Sequence, residues 1–172
     1  YTTTDMKAQH YEVRRRVLDG AVENIEWLLQ SKDPKYGRII VAGHSLGSVI
    51  AYDALNWINN SMNASLLPWE LAGKLRGLVT FGSPLDKIAF FFRARVKDKQ
   101  YIKQQIVAQH VGFKAKDLRL GPPPPHTVEN NIEPLLDHPI RWLNFWDPKD
   151  PISGPLNFYK IAEGDNRRCD LG

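Results

Sequence analysis

Cysteine is almost absent from this chain, which has one, Cys169, among 172 residues. A single thiol rules out an intrachain disulfide framework and a thiolate metal cluster held by one copy of the chain. The same scarcity favours a reducing compartment such as the cytoplasm, although many secreted proteins also lack disulfides. Long apolar runs are missing too, since no stretch approaches the roughly 20 apolar residues that a membrane-spanning helix needs.

The chain also lacks a strong charge of one sign. Its 23 lysine and arginine residues against 19 aspartate and glutamate residues leave a formal net charge of +4, with a pI near 9.2. This excess permits transient contact with an anionic membrane surface without requiring it. No zinc-finger or helix-turn-helix spacing is present, so we expect no nucleic-acid partner. His110 and His126 are too isolated to indicate a metal site.

Apolar residues follow two different periods along the chain. They recur at helical spacing from Tyr11 to Gln30 and again from Leu46 to about Ile58. Short apolar runs without polar alternation are typical of strands buried in a parallel sheet, and three are present: Arg38–Ala42, Leu78–Phe81 and Trp142–Trp146. Helices alternating with such strands predict an α/β fold, a parallel sheet with helices on both faces. We expect one domain over residues 1–172.

A long segment between the second and third strands predicts an insertion. The sequence from Ile88 to Gln109 favours a helix that begins with aromatic residues and becomes basic, and Pro122–Pro125 predicts a loop. Aromatic side chains beside basic ones suit an anionic lipid surface, so residues 88–130 are a candidate lid or cap. A core helix with a solvated basic face is the equal alternative.

The strongest motif joins the first buried strand to the helix after it. Gly43-His44-Ser45-Leu46-Gly47 matches G-x-S-x-G, in which a serine sits at a strained strand-to-helix turn and projects from the carboxyl edge of the sheet. We expect both glycines to be required, because larger side chains would clash at the turn. The Leu46 amide, at the helix N-terminus, would donate to an oxyanion.

A simpler interpretation makes Ser45 the N-cap of an ordinary helix, a position that serine favours. The histidine inside the motif, His44, is expected to point away from Ser45 and either to pack or to support the site from behind.

Three segments, in chain order, resemble one enzyme family. Gly43–Asp53 resembles the nucleophile turn and following helix of lipase-like α/β-hydrolases, including intracellular phospholipase A1 proteins. Val79–Leu85 is similar to the next strand and turn of that group, and Trp146–Ile152 to the strand end that carries the catalytic acid. The resemblance covers most of Arg38 to Pro155. It implies a serine hydrolase whose catalytic residues follow in the order serine, acid, histidine.

Two aspartates follow the third strand, and the resemblance favours Asp150 as the acid because proline and isoleucine follow it directly. Asp147 is the alternative acid, although an aspartate at this position is also expected to cap the turn. Asp86, after the second strand, is a third and weaker candidate for the acid. Loops that leave the carboxyl ends of parallel strands share one edge of the sheet. We therefore expect Asp150 on the same edge as Ser45.

No histidine follows Asp150 in this sequence. The family pattern has the histidine on a loop after one more strand, so we expect an incomplete domain that lacks the early strands and the last strand with its histidine loop. The alternatives are a rearranged triad using His138 or His126, and a domain that has lost catalysis. Without an imidazole partner, the Asp150 carboxylate should face solvent or a gap.

These observations favour a serine hydrolase that cleaves a carboxylic ester, lipid or lipid-like, through an acyl-enzyme on Ser45. Asp150 would be the acid, Leu46 would contribute its amide to the oxyanion site, and neither a metal nor a cofactor would take part. Acyl transfer is a further possibility among enzymes, because it differs from hydrolysis only in the group that accepts the acyl chain. The alternative is a hydrolase-like domain that retains the turn at Ser45 but serves in binding or scaffolding.

Overall fold

The computed structural model describes residues 4–88, 140–157, 159 and 161–170, with side chains from residue 12 onward. A helical turn at residues 85–88 follows the second strand. The other regular elements within these residues are, in chain order, α1 Thr4–Gln30, a 3-10 helix Pro34–Tyr36, β1 Ile39–His44, α2 Leu46–Asn63, a 3-10 helix Trp69–Lys74, β2 Leu75–Phe81, β3 Arg141–Trp146 and β4 Asn166–Arg168.

The strands form a parallel sheet in the order β1-β2-β3-β4. The prediction that the first three strands lie adjacent, parallel and in chain order is therefore confirmed. The expectation that the chain stops before the strand after the acid is wrong, because Asn166–Arg168 pairs in parallel with the carboxyl half of β3. This strand is short and polar, so it lacks the apolar signature of a buried strand.

Burial of an apolar stripe explains both helices. α1 begins before the predicted Tyr11 and packs on α2, which lies against β1. α2 continues past its predicted end near Ile58. Ile58 and Met62 are both fully buried, and their packing outweighs the weak helix propensity of the asparagines between them. The core residues that α1 contributes are Val22, Ile25 and Leu29.

The sequence from Ser65 to Leu75 favours a weaker helix, and this element is shorter in the structure. A 3-10 helix begins directly after Pro68, which has no N–H to donate to a preceding turn. Lys74 ends this segment and links it to α1, since its Nζ donates to the carbonyls of Leu29 and Ser31, both at 2.6 Å. These contacts satisfy carbonyls at and just beyond the C-terminus of the helix.

The described helices cover one face of the sheet. Tyr52 of α2 lies against Trp142 of β3, with ring centroids 5.5 Å apart. The opposite face is open among the described residues, where Ile40 is 64% and Phe81 42% exposed. The reason is topological, because strands that succeed one another in one direction place their right-handed crossovers on the same face. Of the prediction that helices lie on both faces of the sheet, the described residues confirm one face.

A buried polar network ties β2, β3 and β4 together. Thr80 Oγ1 donates to Asn144 Oδ1 at 2.9 Å and accepts from the indole of Trp142 at 3.0 Å. The Asn144 amide nitrogen donates to the Gly154 carbonyl at 3.2 Å and to Asn166 Oδ1 at 2.9 Å. Both polar atoms of the Asn144 side chain thus have partners, which compensates for its complete burial.

An ion pair joins the start of β3 to the turn before β4. Arg141 Nε lies 2.8 Å from Asp165 Oδ2, and a terminal guanidinium nitrogen contacts the other carboxylate oxygen. The Asp165 side chain is buried, while Arg141 is exposed. Hydrogen bonding to the Arg141 guanidinium holds the pKa of Asp165 below its usual value.

Several sequence predictions lie outside the described residues. They are the greater part of the helix over Ile88–Gln109, the loop at Pro122–Pro125, the lid or cap over residues 88–130, and the histidines His110, His126 and His138. Within the part of the chain that is described, no helix has an apolar length sufficient to span a bilayer.

The ion pair predicts a pH dependence of stability. A carboxylate whose folded pKa is depressed stabilises the fold above its unfolded pKa of about 3.9, and that stability is lost as the pH falls through the folded pKa. We expect Asp165→Asn to lower the free energy of unfolding at pH 7, and the difference from the unmodified protein to shrink below about pH 4. Urea unfolding at several pH values measures this.

The control for that experiment is Asp170→Asn, because Asp170 pairs with Arg168 at an exposed site. Exposed ion pairs contribute little to stability, so this substitution should be nearly neutral at every pH. A stability difference for Asp165→Asn that stays constant from pH 7 to pH 3 would contradict the assignment of the depressed pKa to this pair.

Candidate active site

Ser45 is a one-residue junction between β1, which ends at His44, and α2, which begins at Leu46. Its backbone angles are φ 50° and ψ −126°. Among the described residues, Ser65 is the other non-glycine residue with a positive φ. The prediction that Ser45 occupies a sharp, strained strand-to-helix turn is confirmed.

Helix capping does not account for this conformation. An N-cap serine ordinarily has extended backbone angles, and its side chain accepts from an N–H in the first turn. Ser45 has neither feature, since its φ is positive and its hydroxyl makes no capping hydrogen bond. Ser45 therefore occupies the N-cap position without the backbone angles and the side-chain hydrogen bond that the simpler interpretation requires. The Ser45 hydroxyl is left out of the helix's own hydrogen bonding.

Of the two glycines in the motif, the structure requires only Gly43. A Cβ at Gly43 would lie 2.5 Å from Ser48 Cα and 2.6 Å from the Gly47 carbonyl oxygen. Both contacts are with backbone of α2, which cannot rotate away as a side chain can. A Cβ at Gly47 would meet nothing within 4 Å. The expectation that Gly47 makes room for the turn is wrong for the described residues, because none of their atoms would contact a Cβ there.

Both backbone polar groups of Ser45 are engaged. Its N–H donates to the carbonyl of Phe81 at the end of β2, at 3.0 Å. Its carbonyl accepts from the Ser48 N–H at 3.0 Å and from the Ser48 hydroxyl at 2.5 Å. The next amide, that of Leu46, is the first N–H of α2 and has no partner within the helix. It is thus available to an anionic group beside Ser45.

Asp150 follows β3 at the same edge of the sheet as Ser45, as the sequence predicts. Its Oδ2 lies 3.7 Å from the point where a Cβ of Gly82 would stand, directly after the end of β2. Oδ2 thus faces the space beside Gly82, in agreement with the expectation that this carboxylate faces solvent or a gap, while Oδ1 accepts from the Ile152 N–H at 2.8 Å. That hydrogen bond, with contributions from Ser153 and the charge of Lys87, lowers the pKa of Asp150. The carboxylate is therefore ionised at neutral pH.

His44 also reaches Gly82. Its Nε2 and Cδ2 atoms both lie 3.4 Å from the same hypothetical Cβ, and its ring stacks on Phe81 with centroids 5.0 Å apart. This is the packing contact expected of His44. Gly82 itself has φ 60°, so a side chain there would be strained and would intrude between His44 and Asp150.

Asp147, the alternative acid, acts as a turn former. Its Oδ1 accepts from the Lys149 N–H at 2.8 Å, which is the hydrogen bond of an Asx turn. Asp86 is half-buried in the helical turn after β2, and its charge adds to the effect of burial in raising the pKa of Tyr159. Among the three aspartates weighed from the sequence, Asp150 is the one whose carboxylate lies beside Gly82, directly after the end of β2.

Sequence reasoning misses three supporting residues. Ser48 and Ser83 contact each other behind the turn at 2.8 Å, and Asn144 binds the Gly154 carbonyl in the loop that carries Asp150. All three are essentially fully buried. Buried polar residues of this kind leave one signal in a sequence, which is a polar residue inside an apolar strand or on the buried face of a helix. Asn144 shows this signal, because it lies inside the apolar run of β3.

No three metal-ligating side chains come together among the described residues. Comparisons with protein-family models, with curated proteins and with solved structures returned no match for this chain.

The two motif glycines provide a matched pair of substitutions. Gly43→Ala should lower the free energy of unfolding by about 1–3 kcal/mol, the usual cost of overpacking, because its Cβ would contact fixed backbone. Gly47→Ala should be neutral or should stabilise by up to ~1 kcal/mol, since alanine is the better helix former. Thermal and urea denaturation measure both. Equal destabilisation by the two substitutions would contradict the close approach at Gly43.

Proposed function

We propose that this chain carries the nucleophile and the acid of a serine hydrolase with an α/β-hydrolase fold, and that it cleaves a carboxylic ester through an acyl-enzyme. The observation that carries the proposal is the strained backbone of Ser45, which serves no capping role. Strain of this kind costs on the order of 1–3 kcal/mol and is retained at sites where it has a use.

The chemistry begins at the Ser45 hydroxyl. It attacks the ester carbonyl while an imidazole accepts its proton, and the negative charge that develops on the carbonyl oxygen is stabilised by the Leu46 N–H. The alcohol leaves with a proton from the imidazolium, which forms the acyl-enzyme. Water then repeats the attack and releases the carboxylic acid.

Asp150 has the properties required of the acid. It is ionised, because hydrogen bonding from Ile152 lowers its pKa. One of its oxygens, Oδ2, is turned toward the gap beside Gly82 and His44. An ionised carboxylate at this edge can orient an imidazole and stabilise its charged form, and it need not touch Ser45 because the ring lies between them.

The imidazole would come from a part of the protein that lies beyond the described sheet. β1 has no charged residue between Ile39 and His44, yet it is an edge strand within the described residues. An uncharged edge of this length is usually paired or covered. Together with the open face at Ile40 and Phe81, this supports further strands and helices that complete an α/β-hydrolase domain.

Apolar side chains at the carboxyl edge favour a lipid or lipid-like ester. Leu46, beside the nucleophile, is 65% exposed, and Ile152, beside the acid, is 50% exposed. When an acyl chain covers such side chains, their apolar surface is removed from water. This stabilises the bound state by roughly 25 cal/mol per Å² of apolar area.

The first test is covalent labelling of the full-length protein with a fluorophosphonate probe. We expect one adduct, located at Ser45 by peptide mass spectrometry and abolished by Ser45→Ala. The matched control is Ser65→Gly, which changes the other positive-φ serine in a surface turn and should leave labelling unchanged. Labelling that survives Ser45→Ala identifies another nucleophile, and a folded protein that never labels favours the binding or scaffolding alternative.

The second test compares the two aspartates that follow β3. Asp150→Asn should reduce turnover of a soluble ester by about 10⁴-fold, as removal of the orienting charge does in serine proteases, while the fold is retained. Asp147→Asn should cost far less, because it weakens only a turn. Steady-state kinetics and circular dichroism measure the two effects. The reverse order of losses would transfer the role of the acid to Asp147.

A further inference from the structure

Two buried hydroxyls lie behind Ser45. Ser48 Oγ is 2.5 Å from the Ser45 carbonyl oxygen and 2.8 Å from Ser83 Oγ. Ser83 Oγ in turn lies 3.3 Å from the Leu85 amide nitrogen, at the start of the helical turn after β2. Ser48 is 0% and Ser83 1% exposed. A continuous series of hydrogen bonds therefore runs from that helical turn to the Ser45 carbonyl.

The direction of donation follows from counting protons. A carbonyl oxygen only accepts, so the single hydroxyl proton of Ser48 lies on the bond to Ser45. The contact between the two hydroxyls then requires the proton of Ser83. Ser83 accepts from the Leu85 N–H on its other side. All donors point the same way, toward Ser45, and such an aligned series strengthens each of its members.

The Ser45 carbonyl belongs to the same planar peptide unit as the Leu46 N–H, and the two groups point in opposite directions. Fixing the carbonyl therefore fixes the direction of the amide. A strong hydrogen bond to the carbonyl also draws electron density from the amide nitrogen, which makes its N–H a better donor. The hydroxyls of Ser48 and Ser83 thus act on the amide from the opposite side of the peptide.

We propose that Ser48 and Ser83 are positioning residues that aim and polarise the Leu46 N–H as an oxyanion donor. The proposal rests on the proposed hydrolase function. It explains why two hydroxyls occupy a site that alanine side chains could fill, since replacing both partners of a buried hydrogen bond is often nearly neutral for stability. A donor oriented before the reaction has no reorganisation cost when charge develops.

Kinetics of the full-length protein test the proposal. Ser48→Ala should lower kcat by about 10-fold with KM unchanged, a part of the roughly 10²–10³-fold cost of removing an oxyanion donor outright. A trifluoromethyl ketone inhibitor, whose tetrahedral adduct carries the oxyanion, should weaken by the same factor. Ser83→Ala should act in the same direction with a smaller effect, and it preserves the direct bond from Ser48 to Ser45.

The control is Ser61→Ala, another buried serine on α2, about 20 Å along the helix from Ser48 at 1.5 Å per residue. It should leave kcat, KM and inhibitor affinity unchanged even where it lowers the melting temperature. An increase in KM at constant kcat for Ser48→Ala, or inhibitor binding that does not follow kcat, would overturn the proposal.

A second measurement does not depend on activity. Hydrogen bonding to a carbonyl changes the ¹⁵N resonance of the amide attached to it, so the Leu46 ¹⁵N signal should shift in Ser48→Ala and in Ser83→Ala but not in Ser61→Ala. An unchanged Leu46 signal overturns the inference whatever the activity. A shifted signal in a protein that neither labels nor hydrolyses esters overturns the hydrolase function and leaves the coupling of the two serines to the Leu46 amide in place.

Discussion

The peptide groups on either side of Ser45 are held by two different elements, and the turn depends on both. The Ser45 N–H is bound by the end of β2, through the Phe81 carbonyl. The Ser45 carbonyl is bound by the first turn of α2, through the N–H and the hydroxyl of Ser48. A non-glycine residue at φ 50° is strained by on the order of 1–3 kcal/mol. The turn therefore persists only because the sheet and the helix together determine it.

The rest of the local architecture follows from that constraint. α2 must start directly at the end of β1, so its backbone comes so close to the strand that Gly43 can carry no side chain. Parallel pairing then aligns the ends of β2 and β3 beside Ser45. The loop after β3 is held by Asn144 through the Gly154 carbonyl, which keeps Asp150 at this edge. Strand pairing, helix packing and the buried network together position Ser45 and Asp150 at one edge of the sheet.

Sequence reasoning found the features that arise from local patterns. The three apolar strands, their parallel order and the turn at Ser45 follow from short-range signals: apolar runs, helical spacing and the two motif glycines. It missed β4, because an edge strand of polar residues has no apolar period. It also assigned Gly47 a steric role that belongs to Gly43 alone, since which glycine faces the strand depends on how the helix leaves the turn.

Short-range patterns in a sequence also do not indicate which polar side chains bind each other. Ser48 and Ser83 are 35 residues apart, and only the pairing of β1 with β2 brings them together. The hydrogen bond from Ile152 to Asp150 depends on the shape of one turn. The predicted end of α2 comes too early for a related reason. Tertiary burial of Met62 overrides the local preference of asparagine and serine to end a helix.

Ser45 is held in a strained conformation that its side chain does not help to stabilise. The most direct measurement is the free energy of unfolding of two variants, Ser45→Gly and Ser45→Ala, by urea denaturation. Both remove the hydroxyl, but only glycine adopts a positive φ without strain. We expect Ser45→Gly to be more stable than Ser45→Ala by about 1 kcal/mol. An alanine variant as stable as the glycine variant, or more stable, would contradict it.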